Sequence, residues 1–261
     1  MPVHVTNPEP GLGLVVLDRP EVRNAFDLDH LLQLEAAFTS LVDQRARAVV
    51  VTGEGGAFCA GADLDTVRAA VSPGGDRSIM QAQIDVVTRI LLLLQEAPFP
   101  LVAALEGPAV GAGMGLAMAA DVRIASESMV FLTGHLRIAV SPDGGLSYYL
   151  ARAVGAARAR SLFVRNTPID AAEARRLDLV DEVVPRGEAL GRALEVAREV
   201  AGTAPLALVK MRELIDGASA STFADHLAAE MAGVQSLWPT ADFLEGASAV
   251  LDKRAPRFEG R

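Results

Sequence analysis

Two glycine-rich segments and one aspartate carry the chemistry this sequence could perform. The first segment is Thr52-Gly-Glu-Gly-Gly-Ala-Phe-Cys-Ala-Gly-Ala-Asp-Leu64 and the second is Gly107-Pro-Ala-Val-Gly-Ala-Gly-Met-Gly-Leu116. Each places small residues just ahead of a predicted helix start. Such residues let a backbone approach a ligand closely, and the free N–H groups of a helix N-terminus favour negative charge. Each segment could therefore hold an oxyanion. A nucleotide loop is the rival reading, but neither segment has the lysine of a GxxxxGKS or GxxxxGKT loop. Leu116 also stands where a G-x-G-x-x-G run would place its last glycine. For either segment alone, glycines serving only tight strand-to-helix packing remain an alternative.

The aspartate is Asp143, in Ser141-Pro-Asp-Gly-Gly145. Taken alone, that run is also an ordinary type I turn with a turn-forming carboxylate. His135 precedes it by eight residues and reads either as an acid/base group or as part of a pocket wall. The four histidines, at 4, 30, 135 and 226, have no metal-ligand spacing, and the single cysteine, Cys59, can form no intramolecular disulfide. No metal site is expected. Cys59 reads as a small buried hydrophobe and is assigned no chemistry. Asp63 is placed to cap the helix after the first glycine segment. Trp238 and the Leu91–Leu94 run read as core or interface residues.

These groups must be positioned by an α/β framework. Leu12 to Leu17, Ala48 to Thr52, Leu101 to Leu105 and Val122 to Ala125 read as strands. Leu28 to Val42, capped by Asp27, and Ser78 to Gln95 read as helices, and another begins near Ala112. Ser72 to Arg77, SPGGDR, reads as a mobile loop beside the site and a candidate lid. After about residue 185 the strand signals cease. Gly187 to Val200, Pro205 to Ile215, Thr222 to Gln235 and Thr240 to Leu251 then read as a helical appendage, suited to packing on a partner subunit or on its own chain.

Composition narrows the function. The 261 residues are 51% hydrophobic and 22% charged, with a net charge of -9, which fits a globular protein and gives no basic surface for nucleic acid. The stretch Gly107 to Ala120 is too short and too broken by glycine and proline to span a bilayer. The opening MPVHVTNPEP has neither a basic start nor an apolar run, so the expectation is a cytoplasmic protein without membrane association.

LDRPEVRNAF, AFCAGADL, EGPAVGAGMGLAMAAD, SPDGG and the closing DKRAPRFEGR together resemble the crotonase, or enoyl-CoA hydratase/isomerase, superfamily. The resemblance covers essentially the whole chain. It implies a crotonase-like spiral of repeated ββα units: an acyl-CoA-binding core at 1–200 and a helical trimerisation region at 201–261. Homotrimers, or hexamers built as dimers of trimers, follow from the same resemblance. It implies no cofactor, coenzyme A entering only as part of the substrate. The thioester oxygen is expected between the backbone N–H groups of Ala62 and Ala112, beside Gly61 and Gly111. Donors preorganised at a developing oxyanion are worth about 3–4 kcal/mol each in comparable sites. The CoA moiety is expected to pass Arg23 and Ala25, then Ala60, Gly61, Asp63 and Leu64, with Lys253 or Phe258 touching it.

Within that superfamily, the groups over the acyl carbons decide the reaction. Hydratase-type members use two glutamates, and the matching positions here are Gly115 and His135. Water addition needs groups to manage both protons, so a hydratase is weakened. Asp143 matches the aspartate of several isomerases of the superfamily, including the ring isomerase of phenylacetyl-CoA breakdown. One carboxylate suffices for a double-bond shift. Dehalogenating relatives also use this aspartate, but they need a histidine where Thr88 stands. The expectation is therefore an acyl-CoA double-bond or ring isomerase. An enoyl-CoA hydratase and a non-catalytic acyl-CoA-binding protein are the alternatives.

Overall fold

The computed structural model describes residues 2–261. Six strands form the main sheet, in the order β1-β2-β3-β4-β6-β9: Val3–Glu9 (β1), Leu12–Leu17 (β2), Ala48–Gly53 (β3), Leu101–Leu105 (β4), Val122–Ser126 (β6) and Glu182–Val184 (β9). Within this sheet, among the described residues, only the β1/β2 pair is antiparallel. Pro108–Val110 (β5), Val130–Leu132 (β7) and Ile169–Asp170 (β8) make a second, smaller sheet in the order β5-β7-β8.

Alternation along the central strands separates two cores. Val49 and Val51 of β3, with Leu101, Ala103 and Leu105 of β4, face one core, while Ala48, Val50, Val102 and Ala104 face the other. Both faces are covered, which explains why these strands read as unbroken apolar runs rather than alternating ones. Leu28–Asp43 (α1) and Ser78–Glu96 (α3) cover the first face. The second is covered by Ala189–Val200 (α7), whose Ala189, Ala193 and Ala197 allow close approach to the sheet.

The repeating unit is strand, strand, helix. In β4-β5 with Ala112–Met118 (α4), and in β6-β7 with Leu146–Arg165 (α5), the first strand joins the main sheet and the second joins the small one. The first glycine segment follows the same course. After β3, Cys59 bridges to Ala109 of β5, and the chain then enters Leu64–Val71 (α2). This is the expected spiral of ββα units. Ala171–Arg176 (α6) precedes β9, and Pro205–Gly217 (α8), Phe223–Leu237 (α9) and Ala241–Asp252 (α10) complete the helical C-terminal region.

The two principal expected caps are present. Asp27 Oδ1 accepts from the His30 N–H at 2.8 Å, and Asp63 Oδ1 accepts from the Asp65 and Thr66 N–H groups at 3.0 and 3.2 Å. The sequence reading omits β1, an edge strand of polar sequence with five exposed residues, and the two- and three-residue strands of the small sheet, too short to show a period. It also starts the helix before residue 200 too early: Gly187 has φ +86°, and α7 begins at Ala189. The SPGGDR segment joins α2 to α3 on the surface. No helix among the described residues is long and apolar enough to cross a membrane.

Arg212 of α8 ties the helical region to the core. Its guanidinium pairs with Asp121 and donates to the carbonyls of Ala97 (2.6 Å) and Phe99 (2.9 Å), while Asp121 Oδ2 accepts the Leu101 N–H at 2.7 Å. This clamp holds the segment between α3 and β4. Removing one partner of a largely buried ion pair strands the other, so Arg212→Met should lower the unfolding free energy by about 2–4 kcal/mol. Urea denaturation followed by circular dichroism checks this; an unchanged midpoint would contradict it.

Candidate active site

The two glycine segments meet through backbone contacts. Phe26 N–H donates to the Gly61 carbonyl (2.7 Å) and Asp63 N–H to the Phe26 carbonyl (2.9 Å), while Val110 N–H donates to the Cys59 carbonyl (2.9 Å). Gly61 has φ +83°, and a Cβ there would lie 2.6 Å from the Val110 carbonyl oxygen and 3.7 Å from the Ala112 nitrogen. Only glycine fits, because the two segments touch at this point. Between these bonds two donors are left over. Among the described residues, neither the Ala62 N–H nor the Ala112 N–H, which opens α4, has an acceptor. Backbone amides without partners are uncommon inside proteins, and two lining one cavity form a site for an oxygen.

That cavity has a volume of about 340 Å³. Ala62 and Ala112 line it together with Asp143. Apart from Gln83 and Ser141, its other side chains are apolar, from Phe26 and Leu31, from Val67 of α2, from Met80, Ile84 and Val87 of α3, and from Ile138 and Val140. Asp143 is the only carboxylate among them.

The loop carrying Asp143 sits directly on α4. A Cβ at Gly115 would lie 2.1 Å from the Gly144 carbonyl oxygen, so no side chain fits there while the loop keeps its place. Absence of a carboxylate at 115 and presence of one at 143 are two sides of the same packing. Behind Asp143 lies His135, only 5% exposed, with Nε2 2.9 Å from Asp143 Oδ1 and 3.3 Å from the Asp143 amide nitrogen. Asp143 itself is 44% exposed. His135 does not line the cavity, and its contact with the site runs through Asp143. Its turn is pinned by Asn166, whose Oδ1 accepts from Thr133 Oγ1 (3.1 Å) and the Gly134 N–H (3.0 Å).

The remaining predicted site residues fall into two groups. Arg23, in the left-handed region, gives its carbonyl to the Ala60 N–H at 2.9 Å, which joins Arg23 to the 60–64 segment; of these residues Ala62 lines the cavity, and Leu64 is exposed. Ala25 is buried, and its carbonyl accepts from Arg19 at 2.9 Å. The Asp63 carboxylate is turned inward, capping α2 and pairing with Arg19 at 3.3 Å. Gly111 lies over the His135 ring. Lys253 and Phe258 are not brought to this cavity: Lys253 ends α10, and Phe258 packs on Gly246 in a separate groove.

Sequence reasoning missed Asn24. It is fully buried in the left-handed region, donates to the Glu54 and Ala57 carbonyls at 2.9 and 2.8 Å, and accepts the Arg19 N–H at 2.8 Å. Asn24 thus holds the start of the first glycine segment. Its type, an asparagine after arginine and before a buried Ala-Phe, was the available signal, since asparagine is enriched in left-handed conformations.

The comparisons with known proteins agree with this architecture. The enoyl-CoA hydratase/isomerase family model matches residues 8–261. A Rhodobacter capsulatus protein named as an enoyl-CoA hydratase is 36% identical over 256 residues, covering 96% of this chain and 95% of its own. An Arabidopsis thaliana relative named as a mitochondrial enoyl-CoA hydratase is 34% identical, over 96% and 82%. The crystal structure of an enoyl-CoA hydratase from Bacillus anthracis superposes with a TM-score of 0.90 at 30% identity, each chain covered in full (100% and 100%). The chain is a member of the enoyl-CoA hydratase/isomerase family, the crotonase superfamily, and an enzyme of that family.

Cys59 lies beside the candidate oxyanion site but is chemically quiet. Burial pushes its thiol up to about 12, only partly offset by the Gly61 N–H donated to Sγ at 3.4 Å. The thiolate is the reactive form, so at pH 8 roughly one molecule in ten thousand would be reactive. Iodoacetamide should leave the native protein unmodified at pH 8 and alkylate Cys59 only in denaturant, as read by intact mass. Rapid native alkylation would contradict the burial.

Proposed function

We propose that this enzyme is an acyl-CoA isomerase that moves a double bond into conjugation with the thioester. The carrying observation is that Asp143 is the sole carboxylate in an apolar cavity that also presents the Ala62 and Ala112 N–H groups. Asp143 takes a proton from C2 of a 3-enoyl thioester. The electron pair moves toward the thioester oxygen, which the two N–H groups stabilise as an enolate, and the same proton is returned at C4. Atoms and charge balance, and no electron acceptor is required, so the reaction draws on no cofactor. His135 acts through Asp143 as a positioning residue, fixing one carboxylate oxygen and leaving the other toward the cavity.

Hydration is the second reading, favoured by the names its relatives carry. Against it stand the packing that excludes a side chain at 115 and the imidazole at 135, buried behind the loop. We also read α8 to α10 as the surface for a trimer or a dimer of trimers. Support comes from the apolar side chains they leave exposed, among them Phe223, Trp238, Leu244 and Leu251.

Purified protein given a 3-enoyl-CoA should form the conjugated 2-enoyl product, followed by ultraviolet absorbance, without change of mass. Asp143→Asn should reduce kcat by about 10²- to 10⁴-fold with little effect on KM, as expected for loss of a proton-transfer group. Full activity in that variant, or gain of water on a 2-enoyl-CoA at a comparable rate, would overturn the isomerase reading.

A further inference from the structure

One group on the cavity wall has no use in proton transfer. Gln83 lies on the face of α3 that also carries Met80, Ile84 and Val87, a spacing that brings all four to one side of the helix. The other three are apolar. Gln83 is only 8% exposed, and its Nε2 makes no hydrogen bond. A buried amide with an unmade hydrogen bond is destabilising, and a hydrocarbon chain would be served better by leucine or methionine at this place. The other polar side chains of the cavity, Ser141 and Asp143, come from the loop before α5 and do not bond to it. The terminal torsion of glutamine is soft, so the amide can turn toward a bound group without leaving its helix position.

Its place along α3 relates it to the oxyanion donors. Val87 borders a small void shared with Leu31, Ala112 and Leu116, which puts it next to one of the two oxyanion donors. Gln83 stands one helical turn, about 5 Å, from Val87. A group at Gln83 therefore faces the same cavity as the oxyanion donors, one turn of α3 away from Val87.

We infer that Gln83 reads an oxygen in the acyl group: the preferred substrate is a CoA thioester whose chain carries a hydroxyl, carbonyl or ether oxygen at the level of Gln83, to which Gln83 Nε2–H donates. This rests on the reading of the cavity as the acyl site, but not on the reaction carried out there. A site built to hydrogen-bond a substrate oxygen discriminates against the analogue that lacks it, because the buried amide is then left unpaired.

Saturated acyl-CoA thioesters, which cannot isomerise, provide the test. The set consists of a plain chain and equal-length chains in which one methylene beyond C2 is replaced by an ether oxygen, moved along position by position. Dissociation constants are measured by titration calorimetry for the wild type and for Gln83→Leu and Gln83→Met, the second filling nearly the same volume. The preference for ether over plain chain should fall about fivefold or more in both variants at one oxygen position, as expected for loss of one hydrogen bond. An unchanged preference at every position in either folded variant would overturn the proposal. So would failure of all the thioesters to bind. Retained discrimination in an enzyme that isomerises nothing would leave this inference standing and sink the isomerase reading alone.

Discussion

Two backbone amides left without acceptors, those of Ala62 and Ala112, set the demands on everything around them. A chain normally satisfies its N–H groups within its own secondary structure, so leaving a pair unmet on one cavity requires both segments to be held by other bonds. The Phe26–Ala62 and Cys59–Ala109 bridges do this. The first leaves the Ala62 amide unbonded, because Phe26 bonds to the residues on either side of Ala62, and the second joins the two glycine segments to each other. Gly61 then lets the segments touch, and the buried Asn24 fixes where the first one begins.

The same close approach shapes the side of the cavity that carries Asp143. Gly115 admits the 143–145 loop onto α4, and the loop in turn carries Asp143 over the cavity. His135 holds that loop from behind through its contacts with Asp143, and Asn166 pins the turn that carries His135, so the carboxylate is oriented by groups that do not line the cavity. One packing decision thus removes a carboxylate from one position and supplies it at another. On that exchange rests the proposal of an isomerase rather than a hydratase.

Much of this was legible in the residues. The doubly buried strands β3 and β4 announce themselves as unbroken apolar runs, Asp27 and Asp63 as helix caps, and the glycine segments as places of close backbone approach. The contributions of Asn24 and Gln83 were not. Asn24 acts on carbonyls some thirty residues away, and no local pattern encodes such a contact. Gln83 sits in an amphipathic helix where a polar residue ordinarily marks the solvent side, and only the packing of α1, α2 and the 138–144 segment around it makes it a buried wall. The small sheet was invisible for a similar reason: strands of two or three residues exist only because a neighbour pairs with them.

Where a thioester sits is seen most directly in a crystal structure of the Asp143→Asn variant with a 3-enoyl-CoA bound. The thioester oxygen is expected at about 2.7–3.1 Å from both the Ala62 and the Ala112 nitrogen, with C2 and C4 facing the residue 143 side chain. A thioester oxygen held elsewhere, or acyl carbons turned away from residue 143, would contradict it.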